Sequence, residues 1–447
     1  MTQESTKTEN TWKFPAAFWT ANTVEFFERA AFYAMFISIS LYLSRVVGYS
    51  DVWSGIIGGV FSSGLYILPL FTGALSDKIG FRKAIILAFS LLTAGYFTLA
   101  AAPFQETVLP ALFLVMVGGS FIKSIITGTV AKTSTKANRA KAYSIFYGIV
   151  NIGAFIGKTV AYPIRMELGL QEVNYYAAAM TFIALIIVFF IYKSVDTSGE
   201  GKSMAEVWVG LKKVLSNKRL LALILIITGF WIIQQQLYAT MPKYVLRTVG
   251  EDAAPEWIAN VNPLVVMSMV MFVTAYMKRF KAITSMNIGM LLMPISALCM
   301  AAGPLLIEGS GTSISLGFFA LHPIVLMMIV GIIFQGLAEC FISPRYLEYF
   351  SYQAPQGEEG LYLGFSHLHS FLSHLFAFGI SGFLLEAYCP DPTLPKFAGM
   401  SAAEMAPYYD HTYMIWVIFA GIGLTSAIAL FIYNQLTKNS GEKVFGD

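Results

Sequence analysis

Long apolar runs recur along the chain, separated by shorter polar connections. A helix needs about 20 such residues to cross roughly 30 Å of hydrocarbon. Twelve runs qualify, near 15–43, 52–76, 83–102, 108–131, 141–164, 173–193, 220–247, 257–277, 283–303, 316–349, 360–387 and 411–436. The longest basic connection, "KSVDTSGEGKSMAEVWVGLKKVLSNKR", lies between the sixth and seventh runs and divides the chain six plus six. The pattern predicts an all-α polytopic membrane protein with six-helix bundles over residues 1–193 and 219–447, joined by a linker over 194–218. In that linker Val207, Leu211, Val214 and Leu215 form an amphipathic piece that could lie on the membrane surface.

Alternate connections differ in charge. One set holds Lys78, Arg82 and Lys83, then Lys132, Lys136, Arg139 and Lys141, then the linker, then Lys278, Arg279 and Lys281. The other set is nearly free of Lys and Arg, which predicts that both termini are cytoplasmic. Composition agrees: 56% of residues are hydrophobic and 12% charged, against roughly 25% charged in soluble domains. A formal charge of +3, scattered over short loops, leaves no nucleic-acid footprint. Cys299, Cys340 and Cys389 have neither disulfide-framework nor zinc spacing. The opening "MTQESTKTENTWKF" lacks the layout of a cleaved signal peptide, so the first run is expected to be a permanent helix.

Against this background, charges inside the runs carry information. In "VEFFERAAFYAMF" the residues Glu25, Glu28 and Arg29 are spaced i+3 and i+4 and share one helix face. Lys123 lies in the fourth run and Glu339 in the tenth. One ionised residue at the bilayer centre costs at least ~2.5 kcal/mol on insertion scales, so a cluster facing a wet cavity is expected. The alternative is a structural ion-pair network locking the first and fourth helices. For Glu339 the alternative is pairing with Arg345. Tyr33 and Asn151 offer uncharged hydrogen bonds. Trp231, Gln234 and Gln235 could serve a site or simply pack between helices. His367 and His374 share a face of the eleventh run while His369 lies round the helix, so the three do not form one metal site. Either of that pair could titrate near neutrality, or simply hydrogen-bond to neighbouring helices. His411 is expected at the membrane interface.

The loop "GALSDKIGFRK", with Asp77 and Arg82 as candidate gating residues, resembles the motif between the second and third spans of the major facilitator superfamily. Read without that resemblance it is a basic turn. Four further stretches resemble the proton-dependent oligopeptide transporter family. Glu25, Glu28 and Arg29 fit E-x-x-E-R; Lys123 in "GGSFIKS" matches the family's fourth-span lysine; "FYGIVNIG" is close to F-Y-x-x-I-N-x-G; and "ANVNPL" with "GLAECFISPRYLEYFSYQAP" resembles its eighth- and tenth-span patterns.

The resemblance implies the major facilitator fold, with a substrate site near the midplane between the halves. It further implies proton coupling through Glu25, Glu28, Arg29 and Lys123, and substrate contacts at Tyr33, Phe36, Lys123, Asn151, Trp231, Gln235 and Glu339. Glu339 would receive the substrate's amino group and bridge to Lys123 when one side closes. Three departures stand out. Phe36 occupies the position of the family's carboxylate-binding arginine, glutamines replace the seventh-span acid, and "LGFSHLHSFLSHLF" replaces the eleventh-span tryptophan pattern. Carboxylate binding would then fall to Lys123 alone, and a helix-11 histidine could replace the missing acid.

The expected function is a proton symporter for small peptides or peptide-like zwitterions. The alternative is a carrier or exporter of a non-peptide metabolite, metal chelate or drug. The expected setting is the cell membrane, with lipid, protons and a small substrate as partners and no cofactor beyond the proton gradient. No nucleophile, metal or phosphate-cradling motif favours an enzyme, and "GEG" at 199–201 is a bare linker.

Overall fold

The computed structural model describes residues 13–135, 138–193, 204–315, 317, 320–352 and 364–438. Residues 194–203 of the expected linker and the first residues expected in the eleventh span fall outside the described residues. Among the described residues eleven helices are long and apolar enough to cross a membrane, and Asp51–Ile67 with Pro69–Ile79, bent by 47°, makes a twelfth span. The other spans are Ala16–Val46, Phe81–Ala101, Gln105–Lys132, Lys141–Glu167, Glu172–Ile191, Lys218–Ala239, Pro255–Met277, Ala282–Ile307, Pro323–Phe350, Gly364–Tyr388 and Ala403–Thr437.

Local chemistry explains most breaks. Pro69, without an N–H and with a ring that crowds the preceding turn, sits at the bend of the second span. Gly80, at φ 86°, turns the chain sharply into the third. Ser50 caps the second span by accepting from the Trp53 amide at 3.2 Å. Two expectations need correcting. The seventh span is not one rod: beyond Gln234 it continues as short helices Gln236–Ala239 and Met241–Thr248, the last with Pro242 in its first turn. The tenth span starts at Pro323, not near 316, because Ile314–Ser315 and Ala320–Leu321 pair as a small antiparallel hairpin. The linker's amphipathic piece is the helix Met204–Ser216, which buries Val207 and Val214.

Small residues allow the spans to approach closely. A Cβ on Gly157 of the fifth span would lie 2.3 Å from the Ala30 carbonyl of the first. Between the halves, a Cβ on Gly382 of the eleventh span would lie 2.5 Å from the Asp51 carbonyl of the second. Both are backbone-to-backbone contacts of the kind that packs membrane helices without a hydrophobic driving force.

The halves are clamped at the end away from both termini, here called distal. Asp51 accepts from Lys243 Nζ at 2.7 Å and from Arg247 at 2.7 and 2.9 Å, and Arg247 also reaches Asp391 Oδ2 at 2.9 Å and the Cys389 carbonyl at 2.7 Å. Arg165 Nε lies 2.6 Å from Glu256 Oε1, and Arg45 lies 2.7 Å from Glu251. Asn260 donates to Thr159 Oγ1 at 2.9 Å and the Trp257 indole to the Thr159 carbonyl at 3.1 Å.

Candidate functional site: a charged and aromatic cavity between the halves

The first span carries its charges inward. Glu25 and Glu28 are buried, and Arg29 Nε lies 3.0 Å from Glu25 Oε1 and 2.5 Å from Glu28 Oε2. The fifth span closes over them, Gly153 meeting the Arg29 Cβ. One guanidinium therefore serves two carboxylates. Lys123 of the fourth span stands over the Tyr66 ring, 4.0 Å from its centroid.

One turn beyond Arg29 the helix turns aromatic. Phe32 stacks on Phe36 at 5.0 Å, and Phe36 lies 4.9 Å from Tyr238 of the seventh span. Tyr33 and Phe36 line a cavity of about 260 Å³, with Asn151 and Lys158 from the fifth span, Trp231, Gln234 and Gln235 from the seventh, Asn262 from the eighth, Glu339 from the tenth and His374 from the eleventh. Asn151 donates to the Tyr147 carbonyl at 2.8 Å, which leaves its side-chain oxygen to accept. Glu339 Oε2 receives Gln234 at 3.1 Å and Asn262 at 3.5 Å.

The expected substrate residues Tyr33, Phe36, Asn151, Trp231, Gln235 and Glu339 thus come together on one wall system. Lys123 does not join them: it lies behind Tyr66, and among the described residues no ion pair links it to Glu339. The Arg345 alternative for Glu339 is set aside, because Arg345 pairs with Glu348 at 2.7 Å and donates to the Met277 carbonyl. Nor is Lys123 the only lysine available to an anion. Lys158, unremarked in the sequence reading, lines the cavity and is 1% exposed. An intramembrane charge is a site signal wherever it occurs, and "GAFIGKTVAYP" carried one.

The histidines separate. His374 lines the cavity, bonds to the Ser370 carbonyl at 2.7 Å and faces the Tyr66 ring at 4.5 Å. His369 is held by the Ser366 carbonyl at 2.6 Å, and His367 is the exposed residue before the eleventh-span helix Leu368–Tyr388. Among the described residues no group of three or more His, Cys, Asp or Glu is placed to hold a metal. Of the loop-motif pair, Arg82 donates to the Phe189 carbonyl of the sixth span at 3.0 Å, and Asp77 is half-buried at the end of the second. The distal clamp was also missed. Lys243 and Arg247, four apart in the expected seventh span, signalled a shared charged face, but nothing local names their partner.

Twelve spans in two halves surround a central cavity lined by charged, polar and aromatic side chains. The model of the Major Facilitator Superfamily matches residues 22–310, and the chain belongs to that superfamily, whose members are transporters. Among curated relatives, the "Multidrug resistance protein MdtH" of Blochmanniella pennsylvanica is 23% identical over 266 residues, 59% of this chain and 64% of that protein. The protein of the same name from Proteus mirabilis is 24% identical over 271 residues, 59% and 66% of the two chains. The matched stretch thus spans just under two thirds of these relatives. Two solved structures are similar over nearly the whole chain. The peptide transporter POT crystallised with sulfate has a TM-score of 0.73 at 18% identity, covering 97% of this chain and 96% of its own. A POT family transporter in complex with 5-aminolevulinic acid has a TM-score of 0.72 at 15% identity, covering 96% and 97%. At such identities the likeness is one of fold.

Proposed function

We propose that this transporter is a proton-coupled symporter that moves small peptides or peptide-like zwitterions, with both termini cytoplasmic in the cell (inner) membrane. The observation that carries the reading is Glu339, a carboxylate held by two amides and presented to a cavity shared by both halves. It offers an acceptor for an ammonium group, while Asn151 and Tyr33 offer partners for a peptide unit. The cluster of Glu25, Glu28 and Arg29 supports the coupling. Two carboxylates on one guanidinium leave an excess negative charge, which a proton or a moving cation neutralises as the halves rearrange. The bound 5-aminolevulinic acid of a fold neighbour, itself a small zwitterion, agrees with this cargo class.

A second reading is export of a non-peptide metabolite or drug. It is favoured by the aromatic lining around Phe36, Trp231 and Tyr238 and by the names of the curated relatives. Reconstitution into liposomes with an imposed pH gradient separates the two. The first reading expects accumulation of labelled dipeptide, abolished in Glu28→Gln with counterflow retained. Accumulation by Glu28→Gln equal to wild type would remove the coupling role. A preference for apolar drugs over dipeptides would favour export.

A further inference from the structure

Lys158 is a buried ammonium with too few partners. Its Nζ has three N–H donors, and its one described hydrogen bond is a long one, to the Ala259 carbonyl at 3.3 Å. The Tyr33 ring is 5.7 Å away, and among the described residues no carboxylate lies within 4.0 Å. A charge buried without a counter-ion costs several kcal/mol. Glu339 is its counterpart: a carboxylate from the opposite half, lining the same cavity, with amides but, among the described residues, no cation within ion-pair distance. Two more buried atoms on the wall, Trp231 Nε1 and Gln234 Oε1, have no hydrogen-bond partner among the described residues. Donors and acceptors of opposite sign thus face one space.

We infer that Lys158 is the anion anchor of the cavity: it receives the carboxylate of a small substrate whose ammonium group, when it has one, lies toward Glu339. The donor to the carboxylate is thus on the fifth span, and Lys123 is left to the proton-handling cluster. A volume of about 260 Å³ lies just below the roughly 300–1,000 Å³ of ligand pockets, which favours single amino-acid derivatives and short dipeptides. The ammonium half of the assignment rests on the proposed cargo; the carboxylate half does not.

The test compares acids with their amides. The full chain, purified in detergent, is titrated with Phe-Ala and Phe-Ala amide, and separately with phenylacetate and phenylacetamide. Wild type should bind each acid more tightly than its amide. Lys158→Ala should lose that preference through a fall of about 10-fold to 100-fold in affinity for the acid, the range of a charged hydrogen bond. Lys158→Arg should retain it. Should the alanine variant not fold, wild type alone decides by amine-reactive footprinting. The acids should protect Lys158 from modification, and the amides should not. Preference for phenylacetate without preference for Phe-Ala would uphold the Lys158 anchor and defeat the zwitterion cargo. Equal binding of acids and amides by wild type, or an acid preference that survives Lys158→Ala, would overturn the anchor. So would Lys158 footprinting that the acids leave unchanged.

Discussion

Replacing Asp51 with alanine removes one carboxylate that holds two cations of the opposite half. Arg247 keeps Asp391 at 2.9 Å and the Cys389 carbonyl at 2.7 Å, so the loss falls chiefly on Lys243. Its described ion-pair partner is Asp51, at 2.7 Å, and its side chain is 1% exposed. Removing one member of a buried pair costs about 3–5 kcal/mol. With Arg247 still paired, the lower end applies, about 3 kcal/mol or roughly 150-fold. In a conformation where the distal ends part and Lys243 reaches water, that cost disappears. The substitution therefore shifts the equilibrium toward distal opening by up to this factor. The assay is labelling of Ser62→Cys, on the cavity wall, by a membrane-impermeant maleimide added on the distal side. The parent has its three native cysteines replaced; Cys389 contributes a backbone carbonyl to the clamp, so its replacement leaves that acceptor in place. Asp51→Ala should raise the labelling rate at least ~10-fold, in proportion to the open population. A rate within ~2-fold of the parent would refute the reasoning, because the ion pairs would then not hold the distal end shut.

Further outcomes follow from other contacts. Gly157→Leu drives a side chain into the Ala30 carbonyl, 2.3 Å from the site of its Cβ; overpacking of about 1–3 kcal/mol or more should lower the melting temperature in detergent, and an unchanged value would contradict the packing. Burial raises the Asp391 pKa, but the Arg247 charge and the Thr393 hydrogen bonds outweigh it and hold it below the ordinary value. Its contribution is present above the unfolded pKa near ~3.9 and is lost as pH falls through the lower folded value. The stability gap between wild type and Asp391→Asn should therefore hold from about pH 8 to pH 5 and shrink toward pH 3, read by thermal melts. Lys123→Ala should impair proton-driven uptake while leaving acid-over-amide binding intact, as fits a residue behind Tyr66 rather than on the cavity wall.

Run length and the basic connections made the fold legible, because crossing hydrocarbon imposes a constraint that each segment satisfies by itself. Residues that must pair at a distance were harder to read. Asp51 and Lys243 are 192 positions apart, and no periodicity within either segment points to the other. At the cavity, Glu339, Asn151 and Trp231 were legible from motif and residue type. Lys123 was expected at the cavity from the resemblance of "GGSFIKS" to a family pattern, and such a match fixes the span but not which neighbour the side chain meets. Lys158 was overlooked for want of a motif, although its charge in an apolar run was the same signal. The strand Ala320–Leu321 falls inside the expected tenth run because "LGFFAL" is as apolar as the helix that follows it.

Arg247 and Arg165 of the distal clamp divide their bonds between acids and main chain. Arg247 donates to the Cys389 carbonyl at 2.7 Å, and Arg165 to the carbonyls of Ala253 at 2.8 Å and Glu251 at 3.2 Å. A carbonyl belongs to the backbone, so no point substitution deletes it. The clamp is accordingly robust in one direction and brittle in the other. Loss of Asp391 or Glu256 leaves Arg247 or Arg165 its carbonyl partners, whereas loss of either arginine releases side-chain and main-chain acceptors together. Mutational tolerance at this end of the molecule should therefore be greater at Asp391 and Glu256 than at Arg247 and Arg165, with Asp51, which holds Lys243 and Arg247 together, as fixed as the arginines.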